Sequence, residues 1–294
     1  MDKTILSFKN QTVGAQGILA TEDGFTLEEL AIEDTKGDGL KIEKAEHIIV
    51  RKVRIEWTDG PSELNGAYGF YPVQTKNTLI ENCTVIGASD AGIYVGQSKN
   101  IIVRRNFVQH NVAGIEIENS SFADVYENTT ILNTAGILVF DLPNLKIRGG
   151  ERTRVFNNRI IDNNYRNFAP EGNIVGHVPS GTGIMVFAND DIEIFGNTLE
   201  GNNFSAIILA NYLVTGYEIK DKFYDPKPDK ISIHNNTITR SSSLFSFKVF
   251  DSEMHFLINY LTRFNVPDII YDGVQDGTFS GKYNKDGRLS LIHI

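Results

Sequence analysis

A single cysteine, Cys83, stands in 294 residues, so no internal disulfide framework braces the fold, and cysteine usage leaves the redox compartment undecided. No apolar run reaches the ~18 residues of a membrane-spanning helix. A cationic excess is missing too: 28 Lys and Arg against 37 Asp and Glu leave a net charge of −9. With both signs scattered along the chain, this balance argues against a general nucleic-acid or anionic-membrane binder. The sequence holds no phosphate-binding loop, zinc-ligand spacing or nucleophile elbow. The composition is ordinary, 41% hydrophobic and 22% charged. The information lies in its pattern.

That pattern is clearest between Cys83 and Asp141. Gly92, Gly114 and Gly136 recur at steps of 22, each followed by alternating apolar residues: Ile93 and Val95, Ile115 and Ile117, Ile137 and Val139. Asn106 and Asn128 stand 14 residues after the first two glycines. A period near 22 with short alternating strands is too short for helical-hairpin repeats and fits one turn of a parallel β-solenoid. The glycines suit a bend that needs φ > 0 or close packing. The asparagines, with Asn158 and Asn197 in later turns, suit a ladder whose amides bond from turn to turn. Asn119, Asn128 and Asn235 also head glycosylation sequons, but register with the repeat favours the ladder.

Extended in both directions, the register gives eight turns, with Gly17, Gly39, Gly69, Gly92, Gly114, Gly136, Gly183 and Ala206 in one column. The expected organisation is a β-helix over residues 1–240 and a C-terminal capping segment over 241–294, with an amphipathic helix at 251–265. The start enters directly on the strand-like TILSF, so the solenoid is expected to continue upstream of Met1. Long loops interrupt the later turns at 142–152, 165–182 and 212–230.

Strand alternation turns the residue two after each column position outward: Leu19, Lys41, Tyr71, Tyr94, Glu116, Leu138, Met185 and Ile208. Two further on come Thr21, Glu43, Val73, Gly96, Glu118, Phe140, Phe187 and Ala210. The early turns thus display tyrosines and charges, while the later ones display an apolar patch that the long loops are expected to cover. Tyrosine faces stack on pyranose rings, and carboxylates bond to hydroxyls or hold Ca²⁺. The expected groove therefore takes a glycan. Lys41, Tyr71, Tyr94, Glu116, Glu118 and Asp141 are its binding candidates, Tyr71, Tyr94 and Glu116 its catalytic candidates, and Glu116 and Glu118 candidate Ca²⁺ ligands. The bland reading of the same residues is a solvated sheet face.

The segment NGAYGFYPVQTKNTLIENCTVIGASDAGIYVGQSKNIIVRRN, with AGIEIENS and GILVFDLP, resembles bacterial parallel β-helix repeat proteins of the pectate-lyase-like superfamily. The resemblance implies an all-β, right-handed parallel β-helix and export to the periplasm, cell surface or medium. It assigns no activity. YGFYPVQT is similar to the catalytic segment of mannuronan epimerases, of the form YGFDPH, but Tyr71 replaces the aspartate and Val73 the histidine, which disfavours epimerisation. The expected function is an exported glycan-binding or glycan-processing protein, with β-elimination or hydrolysis as the enzymatic options. In a lyase Lys41 would neutralise the substrate carboxylate. The competing expectation is a non-catalytic envelope scaffold that docks a protein on its loop-bearing face.

Overall fold

The computed structural model describes residues 3–239 and 267–272, together with the backbone of Ser280–Tyr283 and Leu289–His293. The expected helix at 251–265 and the boundary at 240 lie outside the described residues.

Each turn of the chain lays down three strands, one in each of three sheets. The first sheet runs in three-residue strands from Ile5–Ser7 to Thr237–Thr239. The second begins at Ile18–Ala20 and continues through Leu40–Glu43, Tyr68–Val73, Ala91–Gly96, Ala113–Glu118, Ala135–Phe140, Thr182–Phe187 and Ser205–Ala210. Those eight turns are followed on the same sheet by Ile269–Tyr271, paired in parallel with the eighth. The third sheet runs from Thr26–Glu28 to Ile231–His234, where Leu289–His293 joins it antiparallel. Ser280–Tyr283 pairs antiparallel with Leu289–His293 in turn, and the other pairings among the described strands are parallel.

The interior is filled by the inward side chains of all three sheets. Ile93, Ile115, Ile137, Ile184 and Ile207 stack in one file, with Val95, Ile117, Val139, Val186 and Leu209 beside them. Parallel strands buried on one face take such β-branched residues readily. Where the third sheet gives way to the first, Asn106, Asn128, Asn158, Asn197 and Asn236 form a ladder, each amide nitrogen donating to the next Oδ1 at 2.9–3.0 Å. Buried at this bend, Asn128 is not a glycosylation acceptor in the folded chain. A second ladder follows the first sheet: Asn111, Asn133, Asn163 and Asn202.

The glycine column is required by space and not by φ. A Cβ on Gly114 would sit 2.6 Å from the carbonyl oxygen of Gly136, and one on Gly136 would sit 2.5 Å from that of Gly183. The left-handed bends fall elsewhere, on the residue before each ladder asparagine. Arg105, Glu127, Asn157 and Asn235 take φ of 54–57° there and Gly196 takes 64°, while Asn82 takes 53° ahead of Cys83 in the same column. That conformation costs roughly 1–2 kcal/mol per non-glycine residue, and the ladder bonds formed next door offset it.

Candidate functional site: an acid and tyrosine centre on the second sheet

The outer face of the second sheet carries the expected row in the expected register. Lys41 pairs with Tyr71, Tyr94 with Glu116, Glu116 with Leu138, Leu138 with Met185 and Met185 with Ile208. Its apolar half is covered. The strap 165–181 sets Phe168, Val175 and Val178 over it, and the loop 211–230 adds Tyr212 and Tyr224. Together with Leu138, Phe140, Met185, Phe187 and Ile208 these make a second apolar cluster outside the solenoid wall. Asn167 holds the strap in shape by donating to the carbonyls of Val175 (2.9 Å) and Val178 (3.0 Å).

The polar half is not an open groove floored by two glutamates. Tyr94, Glu116 and Glu118 are all buried, Glu116 to 1% exposure, while Lys41, Tyr68 and Tyr71 are partly exposed at the rim. The rings of Tyr68, Tyr71 and Tyr94 meet pairwise, with centroids 4.5–5.1 Å apart. Beneath them the Tyr94 hydroxyl donates to Glu118 Oε1 at 2.6 Å. Asp90, just before the fourth strand of the sheet, accepts from Asn173 of the strap at 3.0 Å. Glu116 Oε2 has no hydrogen-bond partner.

Burial disfavours the charged form of each of these acids. Asp90 is pushed up to about 8, by burial first and by the charge of Glu118 second, against the opposing pull of the Asn173 bond. Glu116 is held well above the carboxylate range by burial and by Asp90 and Glu118. Glu118 is raised by burial despite the Tyr94 hydroxyl. Asp38, at the rim, is raised by the same cause. The Tyr94 and Tyr68 hydroxyls are pushed far up by burial and then by neighbouring carboxylates, so both stay protonated.

Asp141 is set apart from this centre. It lines a cleft of about 380 Å³ with Arg148, Asp190 and Tyr224, and its Oδ1 accepts from the amides of Gly149 (3.2 Å) and Gly150 (3.1 Å). Burial pushes it up to about 7. Lys41 lies 3.5 Å from Glu43 and 5.1 Å from the Tyr71 ring centroid. Among the described residues no three His, Cys, Asp or Glu side chains gather closely enough to hold a metal ion. Nor, among the described residues, is any helix long and apolar enough to cross a membrane.

Residues 3–151, just over half of the chain, match the family model for the right-handed β-helix region. The chain belongs to the right-handed β-helix family. No curated protein matches it significantly. Among solved structures, this β-helix protein is similar in fold to the tailspike of E. coli bacteriophage HK620, in a double mutant solved with a pentasaccharide. The TM-score is 0.50 at 11% identity, over 78% of this chain and 42% of the tailspike. Endopolygalacturonase I of Stereum purpureum, solved with two galacturonates, follows at TM-score 0.48 and 12% identity, over 76% of this chain and 66% of that one. The chain thus spans less than two thirds of either neighbour's length. At these identities the likeness is one of fold.

Asp38, Tyr68, Asp90 and Asn173 belong to the centre; Asp90 and Asn173 lie outside the strands, and simple alternation passes over Asp38 and Tyr68. It turns the residue before each column glycine inward. In the structure the strand kinks there: Ala91 packs in the outer cluster, whereas a Cβ on Gly92 would point at Val108 and Asn111 inside. The position before the glycine therefore faces out, and it reads Asp38, Tyr68, Ala91, Ala113 and Ala135. Two acidic or aromatic residues followed by three alanines is a visible signal once that kink is known, with the alanines leaving room beneath the tyrosines.

Proposed function

We propose that the second-sheet face from Lys41 to Glu118 binds a glycan chain and that its buried acids process it. The observation that carries this reading is Glu116: a fully buried carboxyl with an unpartnered oxygen, set between Asp90 and Glu118. Such a group lowers stability and returns no hydrogen bond, and perturbed buried acids of this kind concentrate at functional sites. Glu116 stays protonated at neutral pH and acts as the proton donor to a departing sugar oxygen. Tyr94, a committed donor, orients Glu118 as the accepting carboxylate. Tyr71 and Tyr68 offer ring faces to the sugar at the rim. Hydrolysis and β-elimination are both open to this set of groups, and epimerisation lacks its aspartate and histidine. On this reading the protein meets its glycan outside the cytoplasm.

The HK620 tailspike, similar in fold and solved with a pentasaccharide, agrees with this reading. The docking-scaffold alternative rested on an exposed apolar patch, and that patch is covered by the protein's own loops. The test is binding of the wild type and Tyr71→Ala to a panel of immobilised polysaccharides, with and without Ca²⁺. Retention of the wild type on at least one polysaccharide, weakened about tenfold or more in Tyr71→Ala, is expected. No retention on any polysaccharide overturns the reading.

A further inference from the structure

We propose that the acid and tyrosine centre accepts a glycan segment carrying no carboxylate and turns uronates away. The inference rests on the glycan reading above and adds the charge class of the ligand. Four carboxyl groups, Asp38, Asp90, Glu116 and Glu118, face the centre, and a fifth, Glu43, stands at its rim. Lys41 is the one cation among the described residues in the outer row of this sheet, and it is already engaged. It sits between Glu43 and the ring of Tyr71, while Lys44 holds the other Glu43 oxygen at 2.8 Å. The cations of the neighbouring 142–150 loop are spent elsewhere: Lys146 donates to Gln74 at 3.3 Å and Arg148 pairs with Asp221 at 3.1 Å.

Recognition of a carboxylate in a partly desolvated site calls for a guanidinium fork or an unpaired ammonium, and none of the described side chains offers one here. A uronate at Tyr71 would instead meet like charge from Asp38 and Glu43. A neutral sugar meets the reverse situation. Protonated Glu116 and the Tyr68 and Tyr71 hydroxyls can donate to its oxygens, Asp38 and Glu43 can accept from its hydroxyls, and the two rim rings present apolar faces. β-Elimination starts from a uronate, so the same charge pattern selects hydrolysis from the two reactions left open above.

A glycan array carrying size-matched neutral, amino-bearing and uronate oligosaccharides tests this on the intact chain. A matched pair of homogalacturonan in its free and fully methyl-esterified forms is included. Neutral or amino-bearing glycans are expected to bind at least about tenfold more tightly than any uronate. In Asp38→Asn, a change at the partly exposed rim, that ratio is expected to shrink, because one repelling charge is gone. If uronates bind best, or the esterified form binds no better than the free acid where either binds, the charge assignment is overturned and the glycan reading stands. If nothing on the array binds, both fall together.

Discussion

The hydroxyl of Tyr94 reaches Glu118 Oε1, one turn along the solenoid, at 2.6 Å, and its ring lies directly across Gly96 to do so. A Cβ at Gly96 would stand 2.3 Å from that hydroxyl oxygen and 2.4 Å from the ring. Gly96 is therefore the space in which Tyr94 lies, and the pair fixes one buried acid of the centre.

Tyr94→Phe removes the donor and leaves Glu118 Oε1 buried without it. The expected loss is about 1–3 kcal/mol of stability, read from the urea midpoint. Gly96→Ala is expected to destabilise as well, since the ring must leave its place. A midpoint unchanged in both variants would mean that the Tyr94–Glu118 contact contributes nothing in solution.

The buried acids set a pH dependence whose sign is fixed. Asp90 has an ordinary value of 3.8 and is raised to about 8 in the fold, so between about pH 4 and pH 8 the native state holds a proton that the unfolded chain has released. Stability from this group is fully present below the lower value and falls as pH rises, by about 1.4 kcal/mol per pH unit over that window. Glu116, Glu118 and Asp141 act in the same direction. The thermal midpoint is expected to be higher at pH 5 than at pH 8, with a shallower slope in Asp90→Asn. A midpoint that rises between those values would contradict the assignment of protonated acids.

The asparagine ladder supplies a stability test remote from the site. Asn128 donates to Val103 O at 2.9 Å and to Asn158 Oδ1 at 3.0 Å, and it accepts from the backbone and side chain of Asn106. Asn128→Ala leaves these buried groups unpaired, at about 1–3 kcal/mol for each one not rescued by water. Asn236, at the end of the ladder, makes as many side-chain bonds but is only half-buried, so water can replace lost partners and Asn236→Ala is expected to cost less. Equal urea midpoints for the two variants would show that the ladder does not act as a chain of buried bonds.

The repeat, the glycine column and the first ladder were legible because each is a one-dimensional signal: a fixed spacing of residue types. The outward row from Lys41 to Ile208 was legible for the same reason, through strand alternation. Burial of that row was only half legible. The apolar patch at Leu138 and Phe187 announced a cover, but nothing in the spacing showed that the strap would extend as far as Asp90 or that Glu116 would be buried. Asn173 and Asp90 lie 83 residues apart, and a single hydrogen bond between two loops leaves no periodic trace. Asn111, Asn133, Asn163 and Asn202 each stand five residues after a member of the first ladder, so the second ladder carried the same spacing signal and went unread although it was legible. The left-handed bends went unread because Arg105 and Glu127 are not residues that conformation selects.

The most direct measurement is the rate at which new reducing ends appear when a bound polysaccharide is incubated with the wild type and with Glu116→Gln, at equal folded concentration and neutral pH. The account predicts that the wild type cleaves, and that the variant binds with similar affinity but is slower by about 10²-fold or more, the contribution of a positioned proton donor. Equal rates for the two proteins, or binding by the wild type without any cleavage, would contradict the role assigned to Glu116.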